Sequence, residues 1–267
     1  MRAIETIARP SFKEELAAIV REAGAIAETT FRGTFKHWTK GAGSPVTEAD
    51  IAIDRFLRER LTRLAPDAGW LSEETEDGSA RLSAPRLWIV DPIDGTRAFV
   101  AGRTDWCVSV ALVENGRPVA AAVFAPIEDG LYLAIAGEGA TRDGTPIAAS
   151  RDKGFERARV AGPKPLIERL ARSAPKIVAE PKVHSLALRI ARIASGQLDV
   201  AFASGNSHDW DLAAADLMVQ EAGGTLTSFE GRPIVYNRVE INHGALVAAG
   251  RARHDRLIEI MRGSSQP

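Results

Sequence analysis

The sequence predicts a mixed α/β (α+β) chain built from two unlike halves, and three observations carry that prediction. Two amphipathic helical patterns come first. An Asn-Gly turn between two β-rich runs then marks an antiparallel sheet. From about residue 150, short strand-like runs alternate with helical patterns, which is the signature of a mixed α/β arrangement. The expected division is residues 1–150, helices plus antiparallel sheet, and residues 151–267, an α/β half.

The elements follow in order. Ser11-Phe12-Lys13-Glu14 has capping-box spacing, with Ser11 as N-cap and Glu14 reaching back. Leu16, Ile19, Val20, Ala23 and Ile26 then recur at helical spacing, so the first helix should run to about Phe31. Residues 33–43 read as irregular and polar, and Lys40-Gly-Ala-Gly-Ser-Pro as a mobile loop. Thr47 can cap a second helix. Glu48 and Asp50 favour its first turn, Ile53, Phe56, Leu57, Leu61 and Leu64 form its buried stripe, and Pro66 ends it.

Gly69 to Ser72 reads as a short strand leading into Glu73-Glu74, and residues 76–84 as a polar loop. Leu87 to Val90 is an apolar run that stops at Asp91, followed by Pro92, Ile93 and Asp94-Gly95-Thr96. This is the pattern of a buried strand entering a sharp turn at a helix start. Trp106 to Val113 and Pro118 to Ala125 pair across Glu114-Asn115-Gly116-Arg117, Leu131 to Ile135 continues the meander, and 137–144 is turn-rich. In the second half, strands are expected at 158–162, 176–178, 198–203, 225–228 and 245–249. Helices are expected at 165–173, 185–195, 209–222 and 252–261, with Gly223-Gly224 closing the third of these.

Composition bounds the function. With 267 residues, 45% hydrophobic and 26% charged, the chain is long enough to bury a large core. A net charge of −1 argues against a surface that coats a nucleic-acid polymer, without opposing a small anion. The one cysteine, Cys107, forbids an internal disulfide and sits in a strand run as expected of core. No uninterrupted apolar stretch approaches the roughly 18 residues of a membrane span, and residues 1–10 resemble no signal peptide. The expectation is a cytoplasmic protein with no membrane partner.

Carboxylates stand near the ends of predicted elements at four places: Asp50, Glu73 with Glu74, Asp91 with Asp94, and Asp211. Taken singly, Asp50 can serve a helix dipole, Glu73 and Glu74 can be solvated, and Asp209 or Asp211 can cap a helix. Asp91-Pro-Ile-Asp94-Gly-Thr is harder to explain as a turn alone. Two carboxylates suit a hard cation such as Mg²⁺, and free N–H groups at a helix start suit a phosphate. His184 and His208 read as structural or substrate-facing, because Mg²⁺ prefers oxygen.

Together the four blocks resemble the inositol monophosphatase superfamily of magnesium-dependent, lithium-sensitive phosphatases. The matching residues are Val46-Thr-Glu-Ala-Asp50, Glu73-Glu74, Asp91 to Thr96, and Trp210-Asp211 with Glu221-Ala-Gly-Gly224. The resemblance implies a layered αβαβα sandwich, with an antiparallel sheet in the first half and a mixed sheet in the second. It implies two or three Mg²⁺ ions. Glu73, Asp91 and the Ile93 carbonyl would hold one, and Asp91, Asp94 and Asp211 a second, while a third would rest on Glu73 and water. Glu73 and Thr96 would position the attacking water, with Asp50 supporting Thr96. Gly95 and Thr96 would give N–H groups to the phosphate, and Asp211 and Lys40 would also lie at the substrate. Homodimers are common among such proteins. Haloacid-dehalogenase-type phosphatases also place aspartates on a turn ending in Gly-Thr, but with one residue between them rather than Pro92 and Ile93, so a phosphoaspartate on Asp91 is not expected.

The resemblance leaves the small phosphorylated metabolite open. Ser204 stands seven residues before Asp211, where inositol-phosphate enzymes commonly carry a Glu. Arg232-Pro-Ile-Val-Tyr-Asn237, with Asn242 and Ala245 to Gly250, looks more like bacterial 3'(2'),5'-bisphosphate nucleotidases, which convert 3'-phosphoadenosine 5'-phosphate to AMP and phosphate. Thr96-Arg-Ala-Phe99 and Ala101-Gly-Arg103 are similar to histidinol-phosphate phosphatases. Arg97, Arg103 or Lys40 could hold a second phosphate. The expectation is a bisphosphate nucleotidase. The alternatives are an inositol-1-monophosphatase or histidinol-phosphate phosphatase and, from another class, a non-catalytic metal-binding regulator.

Overall fold

A computed structural model describes residues 11–40 and 44–263. Helix α1 spans Phe12–Phe31 and buries Leu16, Ile19, Val20 and Ala23, as their spacing predicts. The capping box at its start does not form. Ser11 already has helical dihedrals (φ −78°, ψ −12°), so its side chain makes no cap bond, and only its carbonyl joins the helix, accepting from Glu15 N–H at 2.9 Å. Part of the stretch read as irregular pairs instead: β1 (His37–Lys40) runs antiparallel to β2 (Ser44–Thr47). The Lys40 side chain and residues 41–43, the centre of the expected mobile loop, lie outside the described residues.

Thr47 then caps α2 (Glu48–Leu64). Its hydroxyl accepts from Asp50 N–H at 3.3 Å, while the Asp50 carboxylate accepts from Thr47 N–H at 2.7 Å. Here the predicted start is formed in full. α1 and α2 lie on one face of a seven-stranded sheet, β3 (Ala68–Ser72), β4 (Arg86–Asp94), β5 (Cys107–Glu114), β6 (Arg117–Ala125), β7 (Gly130–Ile135), β8 (Gly139–Arg142) and β9 (Thr145–Pro146), ordered as numbered. Every pair is antiparallel except β3–β4, which is parallel. Asn115 and Gly116 turn β5 into β6 with φ of +50° and +74°, the two left-handed residues of a primed hairpin. The turn-rich 137–144 stretch thus contains a strand, and the polar 76–84 loop contains a 3₁₀ turn at Ser79–Ser83. That turn is pinned because Arg81, buried, pairs with Asp77 at 2.6 Å and bonds Asn237 at 2.8 Å.

A five-stranded mixed sheet forms the second half: β10 (Arg159–Ala161), β11 (Val178–Ala179), β12 (Val200–Ala203), β14 (Gly224–Ser228) and β16 (Leu246–Gly250), in the order β11-β10-β12-β16-β14. The remaining short strands, β13 (Ser207–His208) and β15 (Asn242–His243), pair with each other.

Layering follows from which faces are apolar. Trp88, Val90, Val110 and Leu112 pack against α1 and α2. Leu87, Ile89, Ala111 and Val123, which alternate with them, face two central helices that carry Leu188, Ile190, Leu212 and Leu217, and Ala201, Leu246 and Ala248 of the second sheet close that layer from beyond. Val160, Val200, Phe202 and Val247 point away, toward outer helices that bring Leu170, Leu257 and Ile258. The order is helix, sheet, helix, sheet, helix, as expected. A short helix after β4 is α3 (Thr96–Val100). The outer pair are α4 (Lys164–Ser173) and α7 (Arg251–Gly263), and the central pair α5 (Leu186–Ala194) and α6 (Asp209–Glu221). Cys107 is fully buried, in agreement with its core reading. Among the described residues, no helix is long and apolar enough to cross a membrane.

Candidate active site

β4 carries the centre of the site. It runs past the expected stop at Val90 to Asp94, because the carboxylates lie within the strand and not after it. In a regular strand, residues three apart point to opposite faces. Here Asp91 pairs with Ser109 and Asp94 with Cys107, so three steps on β4 match two on β5, and the extra residue is a bulge. The bulge returns both aspartates to one side. Gly95 follows at φ +96°, where a Cβ would also meet Ser185 N at 3.2 Å, so only glycine fits. Thr96 then opens α3, its hydroxyl donating to the Ile93 carbonyl at 2.9 Å.

Two other elements complete the cluster. Glu73 follows β3 and donates its N–H to the Val90 carbonyl at 3.3 Å, which holds it beside β4. Asp211 sits in the first turn of α6, where its carboxylate accepts from His208 N–H at 2.6 Å. It is therefore a helix cap and a site residue at once. Carboxylate oxygens of Asp91, Asp94 and Asp211 all lie within 4.8 Å of one another. Burial pushes Asp91 well above the ordinary carboxylate range, and the charges of Glu73, Asp94, Asp211 and Asp50 push it further. Burial, then Asp211, pushes Asp94 up to about 7, although Ser185 Oγ and Ala187 N–H both donate to its Oδ2 at 2.6 Å.

The donor set fits a divalent hard cation. It is all oxygen and its members repel one another, and Asp91 Oδ1 is buried with no hydrogen-bond partner among the described residues. Glu73, Asp91, Asp94, Gly95, Thr96 and Asp211 all line one cavity of about 660 Å³.

Not every expected contact is made. Asp50 Oδ2 accepts from Thr47 Oγ1 at 2.6 Å and the Thr96 hydroxyl donates to Ile93, while the charge of Asp50 is among those that raise Asp91. Arg97 lines the cavity, but Arg103 turns to Asp105 at 3.2 Å and borders a separate recess.

Sequence reasoning did not find three further lining residues, Lys164, Lys182 and Arg189, whereas His184, which reads from sequence as structural or substrate-facing, does line the cavity. Arg189 is 8% exposed and anchors the wall: Nη1 donates to the Phe202 carbonyl at 2.7 Å, and Nε and Nη2 donate to Val183 at 3.2 and 2.9 Å. Its position in the α5 pattern gave no signal beyond helix. Ser185 could be read as an N-cap, and it is one, accepting from Leu188 N–H at 3.0 Å, but its bond to Asp94 joins residues 91 positions apart.

Comparison with known proteins agrees with this geometry. The family model for the inositol monophosphatase family matches residues 10–266. An inositol-1-monophosphatase of Rhizobium meliloti is 34% identical over 201 residues, covering 72% of this chain and 75% of that protein. A 3'(2'),5'-bisphosphate nucleotidase CysQ of Shigella flexneri is 28% identical over 237 residues, covering 84% and 93%. The solved structure of an extragenic suppressor protein suhB from Bartonella henselae superposes with a TM-score of 0.80 at 25% identity, covering 93% of this chain and 97% of that one.

Proposed function

The chain belongs to the inositol monophosphatase family and is a metal-dependent phosphoric monoester hydrolase, and from that premise we propose that it removes one phosphate from a 3'(2'),5'-bisphosphate nucleotide, yielding AMP from 3'-phosphoadenosine 5'-phosphate. One observation carries the substrate reading: the cavity that holds the acidic cluster is also lined by the exposed cations Arg97, Lys164 and Lys182. Among the described residues, Lys164 is engaged only by Glu168 at 3.7 Å on open surface, a pair of little strength that an incoming phosphate can displace. An ester with a second phosphate meets both charge signs of this cavity, and an uncharged polyol leaving group meets one.

In this reading, Glu73, Asp91 and the Ile93 carbonyl would hold one Mg²⁺, and Asp91, Asp94 and Asp211 would hold another, with a third resting on Glu73. Bound Mg²⁺ would neutralise the phosphate dianion and ease proton loss from water. The protein's own groups do the positioning. The Thr96 hydroxyl spends its proton on Ile93, so its lone pairs are left to accept from the attacking water, with Glu73 as the partner base. Gly95 and Thr96 N–H groups face the phosphate. Water oxygen bonds to phosphorus as the ester P–O bond breaks in line, and the leaving oxygen takes a proton from solvent. Residues 1–150 would supply most ligands, and 151–267 would supply Asp211 and the specificity wall.

A second reading has its own support, since the Rhizobium meliloti inositol-1-monophosphatase is more identical over its aligned part than the nucleotidase is. A panel of adenosine 3',5'-bisphosphate, inositol 1-phosphate and histidinol phosphate separates them. The expected kcat/KM for the bisphosphate exceeds the others by at least about tenfold, the worth of one charge-assisted contact. Replacing Lys164 and Lys182 together by Ala should raise KM for the bisphosphate by about tenfold and leave inositol 1-phosphate within about twofold. Equal, slow turnover of all three esters would refute the nucleotide assignment.

A further inference from the structure

Residues 181–185 form neither helix nor strand, yet the segment is fixed at one point with unusual economy. His184 donates its backbone N–H to Asp105 Oδ2 at 2.7 Å, and its ring Nδ1 lies 2.6 Å from the same oxygen. Arg103 Nε donates to the other oxygen of Asp105 at 3.2 Å, and Ser185 N–H donates to the Asp105 carbonyl at 3.1 Å. Ser185 Oγ in turn contacts Asp94. The imidazole is thus clamped one residue away from a side chain that touches the acidic cluster, and it lines the same cavity.

The clamp sets the ring's chemistry. Burial works against ionising Asp105, but the bonds from the His184 ring and N–H outweigh it and hold the carboxyl below its ordinary range. An ionised Asp105 only accepts, so Nδ1 carries the proton, and in the neutral ring Nε2 is then the acceptor. Among the described residues nothing bonds Nε2. The backbone bonds of His184 and Ser185 already secure the segment, so the ring bond adds orientation and not anchorage.

We propose that His184 is a specificity-determining residue whose Nε2 accepts a hydrogen bond from a hydroxyl of the leaving group, with Asp105 as its positioning residue. The chemical class is a phosphate ester of a polyol, ribose or cyclitol, with a hydroxyl beside the esterified carbon. The inference rests on the phosphatase reading of the cavity and holds for either substrate assignment.

The test compares two esters with such a hydroxyl, adenosine 3',5'-bisphosphate and inositol 1-phosphate, with two lacking it, 2'-deoxyadenosine 3',5'-bisphosphate and p-nitrophenyl phosphate, all with Mg²⁺. His184→Ala should raise KM about tenfold for the hydroxyl-bearing ester that wild type turns over, the worth of one neutral hydrogen bond. It should leave kcat within about twofold and leave the other two esters unchanged. His184→Gln, which keeps an acceptor, should recover part of the loss, and Asp105→Ala should reproduce a smaller version of it. Equal losses on all four esters, or none on any, would overturn the proposal. Wild type that releases phosphate from none of them would overturn the phosphatase reading, and this inference with it.

Discussion

Asp94→Asn should fold and lose phosphate release by on the order of 10³-fold in kcat/KM, the scale of removing one preorganised charge from a reacting centre. The geometry makes this substitution informative. Asp94 Oδ2 accepts from both Ser185 and Ala187 at 2.6 Å, and an asparagine carbonyl in the same place keeps both bonds. What changes is charge. Without a cation, Asp91, Asp94 and Asp211 repel one another in a buried site, and burial has already raised Asp94 to about 7. Removing one of the three relieves that repulsion, so the variant should be at least as stable as wild type in EDTA. Wild type should gain stability on adding Mg²⁺, by about 2.7 kcal/mol at a hundredfold excess over Kd, and the variant should gain much less. Thermal melts with EDTA and with Mg²⁺, beside phosphate release, check both parts. Activity within tenfold of wild type would remove Asp94 from the metal set, and a non-catalytic regulator would show no wild-type activity to lose.

The same residue shows how far the sequence could be read. Asp91 and Asp94 stood out because a turn does not need two aspartates after an apolar run. The bulge that brings them to one side was invisible, since it is set by pairing with Ser109 and Cys107 and not by any local residue. Thr47 with Asp50 was legible as a cap because both partners lie within three residues, and that cap forms. Ser11 with Glu14 had equal spacing and does not form one, because the dihedrals of Ser11 are helical. Asn115-Gly116 fixed a hairpin through backbone sterics that act locally. Lys164 and Lys182 had no pattern to reveal them: each is one polar residue on a segment whose place depends on the second sheet packing over α5 and α6. The strand at His37–Lys40 is illegible for a related reason, since a four-residue polar strand carries no apolar alternation.

A second buried carboxylate, away from the cluster, should give the fold a pH dependence of its own. Asp216 lies on α6 at 1% exposure, accepting from Gln220 Nε2 at 2.8 Å and from the Tyr236 hydroxyl at 2.9 Å. Tyr236 N–H also donates to the Gly116 carbonyl at 3.1 Å, so this contact fastens the 232–243 segment across the hairpin to the central helix. Burial lifts Asp216 to about 6, against the pull of Gln220, Tyr236, Arg117 and His243. A folded pKa above the unfolded value means that the folded state holds the proton more tightly. The stabilisation is complete below the unfolded value of 3.8 and is lost as pH rises through about 6. The full loss is on the order of 3 kcal/mol, with about half of it falling between pH 5 and pH 8. Asp216→Asn carries no such dependence. Urea unfolding of both proteins in EDTA across that range should show the variant gaining on wild type as pH rises. Because Asp91 and Asp94 titrate in both proteins alike, their larger contribution cancels in the difference. Parallel stability curves would mean that Asp216 keeps its ordinary pKa and that Tyr236 and Gln220 compensate its burial in full.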